Sequence, residues 1–410
     1  MRQGGALAPF RQPVFRAIWL ATLISNFGAM IQSTGAAWMM TQLTGSPRMV
    51  ALVQFCAALP VMLLALFSGA VADSYDRRRV MLIAQWVMLA ASAALAVLTL
   101  SDQVQPWILL AATLLVGCGT SLHGPSWQAS IRSQVPIEDL PAAVALNSIN
   151  YNLARSVGPA IGGALMALAG AGANFTVNSC SYIILIVVLL RWKPRIEHAA
   201  PREPLFIAIR AGVVAAYATA PVRCALLRVA VFGVAASGLW ALMPLVARDL
   251  LQGEQGVFGI ILGAFGIGSV GGAFLAARAR REFGTERTFA AGTLLFGVCA
   301  IVTALSVDRI LTTGLIAIAG AAWVTALSSV NVTVQMSAPH SVVGRCLSLY
   351  HMHAFGGLAL GSMLWGNVAE HVGTATALVY SGIALVASLA LAILLPLPGI
   401  ISQQAEDSAA

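Results

Sequence analysis

Gly69-Ala-Val-Ala-Asp73-Ser-Tyr-Asp-Arg77-Arg78-Arg79 is echoed 203 positions later by Gly272-Ala-Phe-Leu-Ala276-Ala-Arg278-Ala-Arg280-Arg281. The glycine and two of the arginines return at that spacing. So do Pro136, Gly158 and Gly163, as Pro339, Gly361 and Gly366. One offset serving six pairs across half of a 410-residue chain marks two related halves, each a unit of about 200 residues.

Composition decides what kind of unit. Hydrophobic residues make up 59% of the chain and charged residues 9%, with a mean hydropathy of +0.85, whereas soluble domains carry about 25% charged residues. Lipid offers no partner to an unpaired backbone group, so about 20 apolar residues must cross it as a helix. Twelve stretches qualify. The first half has Phe15 to Thr41, Met49 to Ala72, Val80 to Ser101, Pro106 to Gln128, Pro141 to Ala169 and Phe175 to Trp192. The second has Leu226 to Val246, Val257 to Ala277, Thr288 to Leu305, Ile310 to Met336, Cys346 to Ala369 and Thr376 to Leu395. The predicted fold is an all-α membrane protein of 12 transmembrane helices in two pseudo-symmetric six-helix halves, residues 1–192 and 225–410.

With the N-terminus in the cytoplasm, 19 of the 23 Lys and Arg fall on cytoplasmic segments; Arg48, Arg248 and Arg309 fall outside and Arg155 sits inside a span. The positive-inside rule therefore predicts both termini in the cytoplasm. The net charge of +8 reflects this topology and contact with anionic membrane lipid, and gives no reason to expect a nucleic-acid partner. The first apolar stretch is too long for a signal peptide and contains Asn26 and Gln32, so it is expected to stay. Cys56, Cys118, Cys180, Cys224, Cys299 and Cys346 have no metal-type spacing and read as reduced packing residues. Residues 193–224 form the basic cytoplasmic linker; Pro204 to Ala220 is apolar enough for an amphipathic helix on the membrane surface, and a plain linker is equally compatible. Such paired halves suit alternating access around a site at mid-membrane.

The Gly69 to Arg79 segment resembles the loop between the second and third helices of the major facilitator superfamily, G-x-x-x-D-[RK]-x-G-[RK]-[RK]. It departs at Ser74 and Asp76, and its second copy has Ala276 where Asp73 would repeat. The run from Gly124-Pro125 through Val135-Pro136 to Ala154-Arg155-Ser-Val-Gly158-Pro159-Ala-Ile-Gly162-Gly163 is similar to the enterobactin-exporter and transmembrane-secretion-effector branch. So is Gly344-Arg345-Cys-Leu-Ser348-Leu-Tyr350 with Gly356-Gly357. The resemblance covers nearly the whole chain. It implies that Gly69, Asp73, Arg77 and Arg78 form a latch that holds the halves together on the cytoplasmic side; a solvated turn charge is the alternative for Asp73. It also implies that Gly158, Pro159, Gly162 and Gly163 are an exporter motif, although its first glycine is Ala154 here. Physically, small residues four apart let helices approach closely and a proline permits a kink; generic helix packing uses the same residues.

A charge inside a span is costly, which makes Arg155 a functional candidate, with helix bracing as the alternative. Asn147, Tyr151 and Arg155 recur every fourth residue on one face. The resemblance implies that the first, fourth, seventh and tenth helices line the cavity. The polar candidates there are Asn26 and Gln32, Thr120 and His123, Trp240, and Ser328, Asn331 and Gln335, joined by Asn147 and Tyr151 on the fifth; each could equally serve packing. A large, mostly apolar cavity with scattered amides and hydroxyls suits a bulky amphipathic molecule. His351 and His353, two apart on a helix, cannot jointly ligate one metal.

Phosphate-binding glycine loops, HExxH and G-x-S-x-G elbows are absent, which argues against ATP hydrolysis and against an enzyme; no catalytic residue, metal or cofactor is expected. The resemblance implies a monomeric exporter of a siderophore- or drug-like molecule in the bacterial inner membrane, with protons as coupling ion. The alternatives are a scaffold or sensor with the same fold, and a facilitator of lysolipid or another solute.

Overall fold

Five of the long helices begin with proline at the first or second position, where a helix needs no backbone N–H. Two more starts, and one of these five, are sealed by side chains. Ser46 Oγ accepts from Met49 N (3.3 Å), Asp76 Oδ1 from Arg79 N (3.1 Å) and Asp308 Oδ1 from Leu311 N (2.6 Å). The computed structural model describes residues 5–193, 205–339 and 342–397; the side chains at 69, 70, 72–74 and 205–209 lie outside that description. The first half contains α1 (Pro13–Leu43), α2 (Pro47–Ser74), α3 (Arg77–Leu100), α4 (Pro106–Ser130) and α5 (Leu140–Arg191). Next come α6 (Leu205–Ala218), α7 (Ala220–Leu245), α8 (Gln255–Phe283), α9 (Thr285–Leu305), α10 (Arg309–Ser337), α11 (Val343–Val372), α12 (Thr374–Ser388) and the short α13 (Leu391–Leu394).

Helix α5 makes two passes. Its run is broken at Gly170, whose φ of +77° favours a residue without a Cβ, and the limbs on either side are the fifth and sixth spans. Among the described residues ten helices are long and apolar enough to cross a membrane, α5 among them. Its second limb and α11, which is diluted by Arg345, His351, His353 and Glu370, bring the passes to twelve. Helix α6 occupies the predicted linker, and α7 starts at Ala220, ahead of the predicted Leu226. The end of α6 is tied to α11 where Tyr217 Oη meets His353 Nε2 at 2.9 Å.

Within the first half α1 packs on α5, and α4 on α2 and α3. In the second half α8 and α9 pack on α10, and α7 on α11 and α12. Across the halves the main pairs are α2 with α11 and α5 with α8.

The echoed glycines mark where these helices touch. A Cβ on Gly158 would meet Met30 on α1, and its counterpart Gly361 meets Val234 on α7. Gly163 presses on Gly259 of α8, and its counterpart Gly366 on Ala51 and Arg48 of α2. Each half thus uses one glycine for its own first helix and one for the opposite half, which gives the 203-residue repeat a structural reason. Gly162 also faces α1, at Ile31 and Thr34.

The apolar core is asymmetric from end to end. One cluster joins the second half to α1 through Trp38 and Met40, α2 through Val50 and Val53, and α5 through Met166 and Phe175. All of these lie toward the end of the bundle that carries Arg48. At the end that carries Arg77, a separate cluster of Phe15, Trp19, Met81, Trp127, Leu146 and Leu189 belongs to the first half alone.

Candidate functional site

At the Arg48 end, two charged side chains of the second half grip the short loop between α1 and α2. Glu370 Oε2 accepts from Ser46 Oγ (2.7 Å) and from the backbone N of Arg48 (3.1 Å) at the start of α2. From the turn after α7, Arg248 Nη1 donates to Thr41 O (2.9 Å) at the end of α1 and is aligned by Asp249 at 2.6 Å. A carboxylate thus meets a helix N-terminus and a guanidinium a helix C-terminus, the two placements that the helix dipole favours. Glu370 lies one residue beyond the predicted eleventh span and is exposed. The Ser46 hydroxyl, and next the Arg48 N–H, hold its carboxyl below the usual glutamate range, with His371 and Arg48 adding favourable charge. Deeper in, Trp38 stacks on Phe258 at 5.6 Å, Trp240 Nε1 donates to Gln54 Oε1 at 3.1 Å, and Trp240 stacks on Trp323 at 6.1 Å.

The Arg77 end is built differently. Arg77 Nη1 donates to Ala129 O at the end of α4 (2.9 Å), and Arg78 donates to Leu189 O and Leu190 O at the end of α5 (2.7 Å each). Both arginines cap helix C-termini inside their own half. The side chain of Asp73 and the surroundings of Gly69 lie outside the described residues. In the second copy Arg280 Nη1 reaches Ser328 Oγ on α10 at 2.9 Å, again within one half.

A second buried charge lies three residues into the predicted seventh span, where the sequence reading counts it with the cytoplasmic end. Arg228 on α7 is 1% exposed, pairs with Glu286 of α9 at 2.5 Å and lies over the Phe289 ring at 4.6 Å. Glu286 Oε2 also accepts from Leu397 N at 2.8 Å, which ties the chain after α13 to α7 and α9. Glu286 was missed because it opens a helix, where an acid is ordinary, and nothing local announces an arginine 58 residues earlier.

The predicted polar residues separate into two groups. Asn26 donates to Asn150 Oδ1 (2.8 Å), and Gln32 accepts from Ser92 and Asn178. His123 Nδ1 meets Gln85 Nε2 (3.3 Å), and Asn147 Oδ1 accepts from Trp127 Nε1 (2.6 Å). Thr120 bonds back to Val116 O at 2.9 Å. These five side chains are engaged inside the first half. Tyr151 is exposed, Gln335 donates to Asn331 at 2.5 Å, and Trp240 bridges the halves. Arg155 is half-buried within electrostatic reach of the Tyr350 phenol on α11. Pro159 and the motif glycines are buried in the contacts described above.

Comparisons with known proteins extend these findings. The family model described as transmembrane secretion effector matches residues 4–410. The chain is 28% identical to the multidrug efflux pump Tap of Mycolicibacterium fortuitum, over 87% of this chain and 89% of that one. It is 24% identical to the enterobactin exporter EntS of Salmonella choleraesuis, over 91% and 90% of the two chains. It is also 24% identical to the staphyloferrin A transporter of Staphylococcus aureus, over 67% and 69%. Among solved structures, the nucleoside transporter NupG superposes with a TM-score of 0.73 at 12% identity, covering 93% of this chain and 98% of that one. A bacterial homologue of the human lysosomal transporter Spinster, inward-facing and unoccupied, superposes at 0.70 and 15%, covering 94% and 95%. At such identities these two structures speak for the fold alone.

Proposed function

Because the chain belongs to the transmembrane secretion effector family of the major facilitator superfamily, we propose that it exports an amphipathic small molecule across the bacterial cytoplasmic membrane by proton antiport. The halves, residues 1–192 and 225–410 joined by 193–224, rock about the mid-membrane contacts of α2 with α11 and α5 with α8. The observation that carries this reading is the end-to-end asymmetry of the core: one apolar cluster seals the halves at the Arg48 end, and the first half keeps a cluster of its own at the Arg77 end. That is the arrangement of a transporter caught open to one side. With the basic segments facing the cytoplasm, the open side is cytoplasmic and the termini lie there too.

Efflux and export relatives support the direction. Tyr151, Arg155, Trp240, Asn331 and Gln335 are the side chains we assign to cargo contact, since apolar surface with a few polar groups selects an amphipathic solute. Asp73, with Gly69, closes the cytoplasmic side in the opposite state, and Arg77 and Arg78 hold the helix ends around it.

The test uses everted vesicles energised acid inside, with a panel of siderophores, drugs and lysolipids. A compound that collapses the pH gradient in vesicles carrying the protein, and fails with Asp73→Asn, supports antiport and identifies the cargo class. Movement of labelled compound without a pH response discards proton coupling. Silence in both measurements favours a scaffold over a transporter.

A further inference from the structure

At the closed Arg48 end a cavity of about 340 Å³ lies between α2 of the first half and α11 of the second. One face of α11 supplies its apolar wall, because Leu360, Met363, Leu364 and Asn367 recur at the spacing of a helical stripe. Arg48, in the first turn of α2, supplies its polar rim. The helices touch beside it: a Cβ on Gly366 would lie 2.5 Å from Ala51 Cβ and 3.3 Å from Arg48 Cα. The apolar core is continuous across the halves at this end, and the stripe faces away from it, with Leu360, Met363 and Leu364 56%, 45% and 46% exposed. Around a membrane helix such a face meets acyl chains.

The neighbouring charges have partners. Glu370 accepts from Ser46 and from the Arg48 backbone, Arg248 donates to Thr41 O, and Asp249 is paired with Arg248. Among the described residues the Arg48 guanidinium has neither a hydrogen bond nor an ion pair. Its place is also a poor one for a cation, since the helix dipole disfavours positive charge in the first turn. A phosphate answers both conditions. Its oxygens match the forked donors of a guanidinium in two parallel bonds, and its negative charge suits a helix N-terminus. The side-chain amide of Asn367, on the facing helix, adds a donor.

We propose that this cavity binds one phospholipid from the membrane leaflet at the Arg48 end, with its phosphate on Arg48 and Asn367 and an acyl chain along Leu364, Met363 and Leu360. Helix α11 ends at Val372, so from Asn367 to Leu360 the stripe runs about 10 Å inward from that end, the direction a chain takes from its headgroup. The cavity is at the small end for a ligand site, so it takes the phosphate and the upper part of one chain and leaves the rest in the bilayer. Because α2 and α11 belong to opposite halves, the site is whole only while this end is closed, and an occupant stabilises that state. The site is independent of the cargo and of the direction of transport.

The test uses the full-length protein in dodecyl maltoside and a pair of photoreactive probes with the same diazirine-bearing acyl chains, a phosphatidylglycerol and a diacylglycerol, which differ in the phosphate-bearing headgroup. At equal, sub-saturating dose the phosphatidylglycerol should label residues 360–364 about tenfold or more above the diacylglycerol, the scale of a charge-assisted hydrogen bond. Arg48→Gln should bring the two probes within about twofold of each other, and Arg48→Lys should restore part of the difference. Unlabelled phosphatidylglycerol should also raise the closed population, read from spin-label distances across the Arg48 end, by about threefold or more in the wild type and not in Arg48→Gln. Equal labelling by the two probes in the wild type overturns the proposal whether or not the variants fold, since the groove is then ordinary lipid-facing surface. A preference that survives Arg48→Gln overturns the seat of the phosphate on Arg48. Labelling that follows the headgroup while the distances stay fixed overturns the link to closure.

Discussion

The two ends of the bundle use the same chemistry to opposite effect. At the Arg77 end, Arg77 and Arg78 cap the helices of their own half, so their hydrogen bonds survive any motion of one half against the other. At the Arg48 end, Glu370 and Arg248 cap helices of the opposite half, so their bonds exist only while that end is closed. A charged group at a helix terminus is thus a brace or a lock according to which half owns the helix. The apolar core follows the same division, continuous across the halves at one end and divided at the other.

The contrast can be broken most forcefully inside one half. Glu286→Gln leaves Arg228 buried without a counter-charge and should cost about 3 kcal/mol, the low end for a buried pair because Glu286 is 29% exposed. The expected result is a marked fall in melting temperature in detergent, with spin-label distances between the halves unchanged at both ends. A change in those distances would make Arg228 a part of the lock.

Next in size is Gly163→Val, which puts a side chain into the backbone of Gly259. Overpacking of about 1–3 kcal/mol should fall on the closed Arg48 end and populate longer distances there. Gly158→Val, directed at Met30 within one half, should lower stability without lengthening them.

Smaller still is Arg248→Gln. Its bonds to the end of α1 are partly solvated, so about 1 kcal/mol, or roughly fivefold in the population of the closed end, is expected. Arg78→Gln, its counterpart at the other end, should leave the distances alone. If both substitutions open the Arg48 end equally, the division between brace and lock is wrong.

Glu370 gives the finest test, through pH. Its carboxyl is held below the ordinary value of 4.5 by bonds that form only when the end is closed. A depressed acid contributes its full effect above the ordinary value and loses it as pH falls through the closed-state value. The closed population should therefore be flat from neutrality to about pH 5 and decline below pH 4.5. Glu370→Gln should remove the decline in that window. A decline that persists in the variant assigns it to another group.

The sequence carried the fold through local features. Apolar length located the crossings, the 203-residue echo paired the halves, and the Gly158 to Gly163 run announced close helix contacts before any partner was known. Much of the polar chemistry was harder to read. Gln32 and His123 look like cavity residues on helices drawn alone, yet they bond to Ser92, Asn178 and Gln85 inside the first half. The Arg228–Glu286 pair escaped for the same reason. A helical period tells which residues share a face and is silent on which neighbour that face meets.

By itself, then, the chain determined its solvent, its number of crossings and its twofold repetition. Those depend on backbone hydrogen bonding in lipid and on spacing along one helix. Which end is sealed, and whether a given arginine braces a half or locks two, was decided only in three dimensions. Thr41 and Arg248, or Ser46 and Glu370, lie more than 200 residues apart, and no local rule connects them until the helices are packed.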